Sequence, residues 1–291
     1  MGSFEEIIIM VNYINIHLKG LLANQMFCVS ALFAYAWRHN LTPIVKSNQI
    51  SRNHDKGRDS LLKVFPNIPF NDDVDLEIEE FLEEPKSLGF RYQEIPFYPN
   101  KNVQMRGFRQ SEKYFVEYKK EIQKMFEPHV DEKQYLENKY ADVLKNSVSL
   151  HIRKGRDNAD TYSSAYYCLF EDLNTYYPNA LRKILEMGKT IENILIFSDA
   201  VDWVEENLDL SEFNANITFV RGEKDYMDIH LMSMCEHNII ANSTFSWWGA
   251  WLNNNEEKVV IAPTEWHPLH KKRKFSDEDI ICEDWIRVEV K

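Results

Sequence analysis

The strongest constraint on the fold lies in the second half of the chain, where five short, β-rich apolar runs recur between polar segments with helical patterning. The runs are Val148–Ile152, Ile194–Phe197, Ile217–Val220, Asn238–Ala241 and Val259–Ala262, and the last four begin 21 to 23 residues apart. A strand buried on both faces reads as a continuous apolar run, and gaps of that length suit crossover helices. Residues 147–291 therefore read as a doubly wound, mainly parallel α/β lobe. In such a sheet, ligands sit beyond the carboxyl ends of the strands. Here those ends run into His151-Ile-Arg153-Lys154-Gly155, Ser198-Asp199, Arg221-Gly222 and Asn242-Ser243-Thr244. Polar residues suited to phosphate, ribose or base thus converge on one crevice.

The residue types narrow the chemistry. A guanidinium fixed at Arg153 can hold two phosphate oxygens and neutralise charge on a departing diphosphate, although a surface salt bridge is an equal reading. His151 is expected to face away from Arg153 unless the strand bends, which leaves a packed histidine as its other reading. Asn242, Ser243 and Thr244 precede a helical stretch at 245–253, where hydroxyls and free N–H groups make either an anion site or an ordinary cap. The aromatics Phe245, Trp247, Trp248 and Trp251 at helical spacing read as core. Asp228 falls in the first turn of a helix expected over 225–237. Its carboxylate can accept from the N1–H and N2 amino group of guanine, a donor pair adenine lacks, or it can simply favour the helix N-terminus. Ser198 and Asp199 carry the same ambiguity.

Residues 1–146 read as a separate N-terminal lobe. A strand at Ile7–Val11, a polar turn through Lys19-Gly20, a buried helix over 25–38 and a strand at Pro43–Lys46 open it. The polar stretch 48–60 and the acidic stretch 71–86 read as surface excursions. Helices are expected over 111–126, capped by Ser111, and over 131–145.

Composition excludes several function classes. Asp plus Glu number 46 against 34 Lys plus Arg, a net charge of −12, which disfavours nucleic acid as a partner. The one compact basic run, His270–Lys274, could make weak peripheral contact with anionic lipid but reads as solvated loop. Four cysteines, Cys28, Cys168, Cys235 and Cys282, show no C-x-x-C spacing, and His267 and His270 lack a companion carboxylate or thiolate. Neither disulfides nor zinc are expected. The longest nearly apolar stretch, Met26–Trp37, has 12 residues, whereas a membrane span takes about 20. With no basic segment ahead of Ile7–Val11, the expectation is a soluble, cytoplasmic protein. Two D-x-D pairs, Asp73/Asp75 and Asp277/Asp279, lie in acidic, loop-like stretches expected to be solvated, so no metal site is assigned.

One long block, Asp228–Asn253 (DIHLMSMCEHNIIANSTFSWWGAWLN), resembles the signature of the α-1,2-fucosyltransferase family, glycosyltransferase family 11. Asn24-Gln-Met-Phe27, the segment Gly107–Phe115 (GFRQSEKYF), His151-Ile-Arg153, Ile196-Phe-Ser-Asp199 and Glu283-Asp-Trp-Ile-Arg287 follow the family's order over nearly the whole chain. Two positions depart from it. Ala23 replaces a glycine of the loop Gly20–Gln25, a position at which the family pattern suggests a need for positive φ. Arg156 displaces the acid after His151-Ile-Arg153 by one residue, to Asp157.

The resemblance implies a GT-B-like α/β fold in which two Rossmann-type lobes face a cleft: residues 1–146 on the acceptor side, and residues 147–291 binding the GDP-sugar. It implies GDP-fucose as donor, no cofactor and no metal, and inversion at the fucose carbon. The acceptor would be a galactose-containing oligosaccharide or glycolipid, attacking through the 2-OH of a terminal galactose. The family's arginine falls on Arg153. Asn24 would face donor and acceptor across the cleft, and Asp157 is the candidate base. His151, Ser198, Asp199, Asp228, Asn242, Ser243 and Thr244 complete the expected donor site. The rival expectations are a fucosyltransferase of other linkage and a GDP-sugar or glycan-binding homologue with impaired catalysis.

Overall fold

The computed structural model describes residues 12–46, 65–85, 89–154, 173–266 and 276–290. The expected strand at Ile7–Val11, the polar stretch 48–60, the segment Gly155–Asp157, Cys168 and the segment His267–Lys274 lie outside the described residues.

Two parallel sheets organise the chain. The first contains β1 (Tyr13–Ile16), β2 (Thr42–Ile44), β3 (Glu80–Leu82) and β4 (Val103–Met105) in the order β2-β1-β4-β3, with α1 (Leu22–His39) between β1 and β2. The sequence reading missed β1. Its Ile14 and Ile16 are buried as expected of a strand, but so is the intervening Asn15, whose Nδ2 donates to the Ile44 carbonyl and whose Oδ1 accepts from Gln104 Nε2. A buried, fully bonded asparagine erases the alternating pattern. The acidic stretch 71–86 is not all surface excursion, because β3 pairs in parallel with β4. As an edge strand burying only Leu82 of its three residues, it carries little apolar signal.

The two helices expected over 111–126 and 131–145 are broken. Ser111 caps as anticipated, its Oγ accepting from the Lys113 N–H at 3.3 Å. Two 3₁₀ turns at Glu112–Tyr114 and Val116–Tyr118 then precede α2 (Lys119–Met125). Between them Phe115, at φ −147° and ψ 0°, leaves helical geometry and sends its ring into the core. The second stretch divides at Tyr140 into α3 (Val130–Lys139) and α4 (Ala141–Leu144), where the half-helical Tyr140 turns its hydroxyl to Glu223.

The second sheet realises all five expected runs. It comprises β5 (Ser147–Ile152), β6 (Asn193–Ser198), β7 (Asn216–Phe219), β8 (His237–Ile239), β9 (Val260–Pro263) and a sixth strand, β10 (Ile286–Val288). The order is β10-β9-β8-β5-β6-β7, parallel throughout. Crossovers are α5 (Leu173–Glu186), α6 (Val201–Asn207), α7 (Asp225–Met234) and α8 (Thr244–Leu252).

The core joins the two sheets around α1 and α8. Trp247, Trp248 and Trp251 are buried, as the helical spacing predicts, and Phe27 of α1 lies 4.5 and 5.0 Å from the first two. Each indole N–H finds an acceptor: Ile280 O, Ala23 O and Glu112 Oε2 respectively. These bonds satisfy the polar edge of each ring without giving up its apolar face. Cys28, Cys235 and Cys282 are buried free thiols. No helix among the described residues is long and apolar enough to cross a membrane.

Candidate active site

In the second sheet the strand order reverses between β5 and β8. Arg153 follows β5 and Asn242–Thr244 follow β8, so both border the crevice that such a reversal opens. The first sheet reverses between β1 and β4, and the chain leaving those strands carries Asn24 and Gln110. All four segments line one cavity of about 600 Å³. Every candidate site residue among the described ones lines it: Asn24, His151, Arg153, Ser198, Asp199, Asp228, Asn242, Ser243 and Thr244. Asp157 lies outside the described residues.

Several groups of the cavity wall attract negative charge. Arg153 Nη1 lies 3.2 Å from Asp199 Oδ2, and Asp199 Oδ1 accepts from the Lys154 N–H at 3.0 Å. Asp199 therefore fixes both the guanidinium and the turn that carries it. Ser198 Oγ accepts from the Ala200 N–H, and Asn242 Nδ2 donates to Trp266 O. Ser243 Oγ accepts from the Phe245 N–H at 3.3 Å, capping α8. Neither α1 nor α8 has an acidic residue in its first turn, so two helix N-termini present uncompensated positive ends to the same space.

His151 does not face away from Arg153. Residues two apart on a strand share a face, and both line the cavity. Ser246 Oγ donates to Ser243 O and lies 2.9 Å from His151 Nδ1. Nδ1 is thus engaged by Ser246, and Nε2 is the ring nitrogen left to a ligand. Burial, reinforced by Arg153, pushes the imidazole down to about 3. A neutral ring offers a ligand one donor or one acceptor at Nε2, according to its tautomer.

Three acidic residues of the lining, Glu223, Asp225 and Asp228, act on one another. Burial, followed by the charges of Glu223 and Asp225, pushes the Asp228 carboxyl up to about 7, and its Oδ1 is buried without a hydrogen-bond partner. Burial also raises Asp225. Glu223 is lowered instead: burial works against ionisation, but bonds from Lys139 and Tyr140 outweigh it. Helix α3 thus reaches the cavity wall, and its Glu132 also accepts from the Tyr226 hydroxyl. Sequence reasoning missed Glu223 and Asp225, whose only signal was proximity to Asp228.

On the first-sheet side, Asn24 Oδ1 accepts from Gln110 Nε2 at 2.8 Å and from Thr244 Oγ1 at 2.9 Å. Gly20, at φ +75°, packs against the same side chain, and a Cβ there would stand 2.5 Å from Asn24 Nδ2. The residue requiring positive φ is thus Gly20. Ala23 lies inside α1, where an alanine is at ease. Phe90, Phe108, Gln110 and Trp266 also line the cavity and were not singled out individually, although Phe108 and Gln110 lie within the GFRQSEKYF block.

Among the described residues, Glu112, Cys282 and Asp284 could together approach a metal ion, but none of the three lines the cavity. Asp277 and Asp279 are not the solvated pair the sequence suggested. Asp277 accepts from the Trp266 N–H, and Asp279 from the Tyr92 N–H and Lys113, so both carboxylates tie chain segments together.

The profile of glycosyl transferase family 11 matches residues 9–289. An alpha-1,2-colitosyltransferase of Escherichia coli is 34% identical over 196 residues, 65% of this chain and 63% of that protein. The O-antigen biosynthesis glycosyltransferase WbnK of Escherichia coli is 35% identical over 144 residues, 49% of this chain and 45% of that protein. The match spans under two thirds of either relative's length. Among solved structures, the fucosyltransferase NodZ from Bradyrhizobium superposes with a TM-score of 0.51 at 11% identity, covering 82% of this chain and 92% of that one. At that identity the likeness concerns the fold, and it agrees with the expected GT-B-like arrangement of two parallel α/β sheets around a cleft.

Proposed function

The chain belongs to glycosyl transferase family 11, and from that premise we propose that it is an inverting glycosyltransferase moving L-fucose from GDP-fucose to the 2-OH of a terminal galactose on a glycan. The observation that carries this reading is the set of residues that line the cavity. Its lining brings together Arg153, the N-termini of two helices, and Asp228 with its unpartnered oxygen. A nucleoside diphosphate sugar has matching groups: an anionic diphosphate, and a guanine edge offering two donors.

In the proposed reaction the acceptor oxygen attacks the anomeric carbon as the carbon–oxygen bond to the diphosphate breaks, and the electron pair leaves with GDP. Charge building on the β-phosphate is met by Arg153, the Ser243 hydroxyl and the helix N-termini, which are already oriented before the reaction. Asp228 reads guanine, and His151 and Ser198 offer polar contacts beside the nucleotide. Asp157 is assigned as the base that takes the acceptor proton.

A panel of galactose-terminated oligosaccharides incubated with GDP-fucose tests the proposal, with product linkage read by NMR. An α-1,2-fucoside is expected. Transfer to a different hydroxyl would overturn the linkage, and donor hydrolysis unaffected by every acceptor would favour a binding homologue. The colitosyltransferase relative motivates a second reading, in which the donor is GDP-colitose. Colitose is L-fucose without its 3-hydroxyl, so competition between the two donors decides which sugar the cavity was built for.

A further inference from the structure

The hydrogen bonds around Asn24 restrict what that residue can do. Its amide oxygen accepts from Gln110 Nε2 at 2.8 Å and Thr244 Oγ1 at 2.9 Å, which uses both lone pairs. Only N–H groups remain to face a ligand. We propose that Gln110 is a positioning residue which locks the Asn24 amide so that Asn24 meets the donor solely as an N–H donor, aimed at the diphosphate oxygen that gains charge. The inference rests on the donor-binding reading above.

The loop bearing Gln110 is built to hold one geometry. Glu84 Oε2 accepts from the Phe108 N–H at 2.7 Å and Oε1 from the Arg109 N–H at 3.0 Å. Gly107 has φ +117°, and a Cβ there would come within 2.3 Å of Glu84 Cβ, so no other residue fits this turn. Arg109, itself at φ +53°, is buried and donates from Nη2 to Leu82 O at 2.9 Å. These contacts anchor the backbone on both sides of the loop and fix the reach of Gln110. Asn24 follows β1, Gln110 follows β4 and Thr244 follows β8, so the three-way contact forms only when both sheets are in place.

The Gln110→Glu variant tests this. At pH 8 the introduced carboxylate confronts the Asn24 oxygen with an acceptor, and the amide loses its orientation. As pH falls, the protonated carboxyl donates O–H where glutamine donated N–H. Expressed as a ratio to wild type at saturating donor, so that titration of Asp228 and of every other group the two proteins share cancels, kcat should fall about 10²-fold at pH 8, the scale of losing one oriented donor. It should recover toward pH 5, while GDP affinity by calorimetry stays near wild type. Gln110→Ala should lose less and show no such recovery. Wild-type kcat for Gln110→Glu at pH 8, or an equal loss at every pH, overturns the proposal.

A second readout needs no turnover. In 15N-asparagine-labelled protein, the side-chain amide pair absent from Asn24→Asp should shift in Gln110→Glu at pH 8 and return at pH 5. A pair that never moves sinks the positioning role whatever the substrate. A wild type that binds no GDP instead overturns the donor-site reading.

Discussion

Arg153 is held by Asp199 at 3.2 Å, a geometry that a planar guanidinium can keep while still offering N–H groups to a diphosphate. Lysine cannot reproduce that fork. Arg153→Lys should therefore lower kcat by about 10² to 10³-fold with unchanged circular dichroism, and near-normal turnover would take Arg153 out of the chemistry. Asp228 makes the other residue-scale prediction. Only the ionised carboxylate accepts from both guanine donors, and its pKa in the fold is about 7. GDP affinity should then be full above pH 7 and fall below it, with proton release on binding near pH 6, and Asp228→Asn should flatten the profile and erase any preference for GDP over ADP. Calorimetry in buffers of different ionisation enthalpy reads both effects. Equal wild-type affinity for the two nucleotides contradicts the assignment. Stability runs the opposite way. Between the ordinary value of 3.8 and about 7 the folded protein keeps a proton that the unfolded chain has released. This contribution is therefore present at the acid end and lost as pH rises through 7.

Element α8 combines two duties: its N-terminus borders the cavity and its body fills the core. Trp248 touches Phe27, Phe115 and Phe126 at centroid distances of 5.0, 5.6 and 5.2 Å and donates to Ala23 O. Trp248→Ala should cost about 3 to 5 kcal/mol in urea unfolding, and a loss below about 1 kcal/mol would show that the packing relaxes around it. This helix and four of the five strand runs of the second sheet were legible because each buries a continuous apolar face, which sequence periodicity records directly; the half-exposed edge strand β7 was legible from its spacing. Strand β1 was hidden by Asn15, and β3 by its charged edge. The breaks at Phe115 and Tyr140 escaped because distant contacts, not local propensity, set them. The site divides in the same way. Arg153, Asp199 and Thr244 follow strands whose carboxyl ends predict a ligand. Gln110 acquires its significance from Asn24, 86 residues away in sequence, and no local pattern carries that pairing.

At the scale of the whole molecule, the cavity exists only where the two sheets meet, and its positive charge comes from Arg153 and the ends of α1 and α8. Those groups can supply the stabilisation a divalent ion provides elsewhere, so turnover should persist in EDTA. Complete loss on chelation, restored by Mn²⁺, would overturn this. The Thr244–Asn24 bond and the Trp248–Ala23 bond cross between the sheets on either side of the same helix start. Displacing one sheet against the other would therefore disturb the ligand cavity and the aromatic core together.

The clustering of indoles around α8 also makes the protein its own optical reporter. Trp247 and Trp251 are stacked with centroids 6.0 Å apart and planes 12° from parallel, and Trp248 and Trp285 stand 5.0 and 5.6 Å from Trp247. Chromophores this close share their excited states, so the native chain should show a coupled tryptophan band in circular dichroism that no isolated indole gives. Because Ile280 and Ala23 anchor two of these rings, the band senses the register of α8 against both of its neighbours. Light, with no added label, would report whether the cleft is assembled.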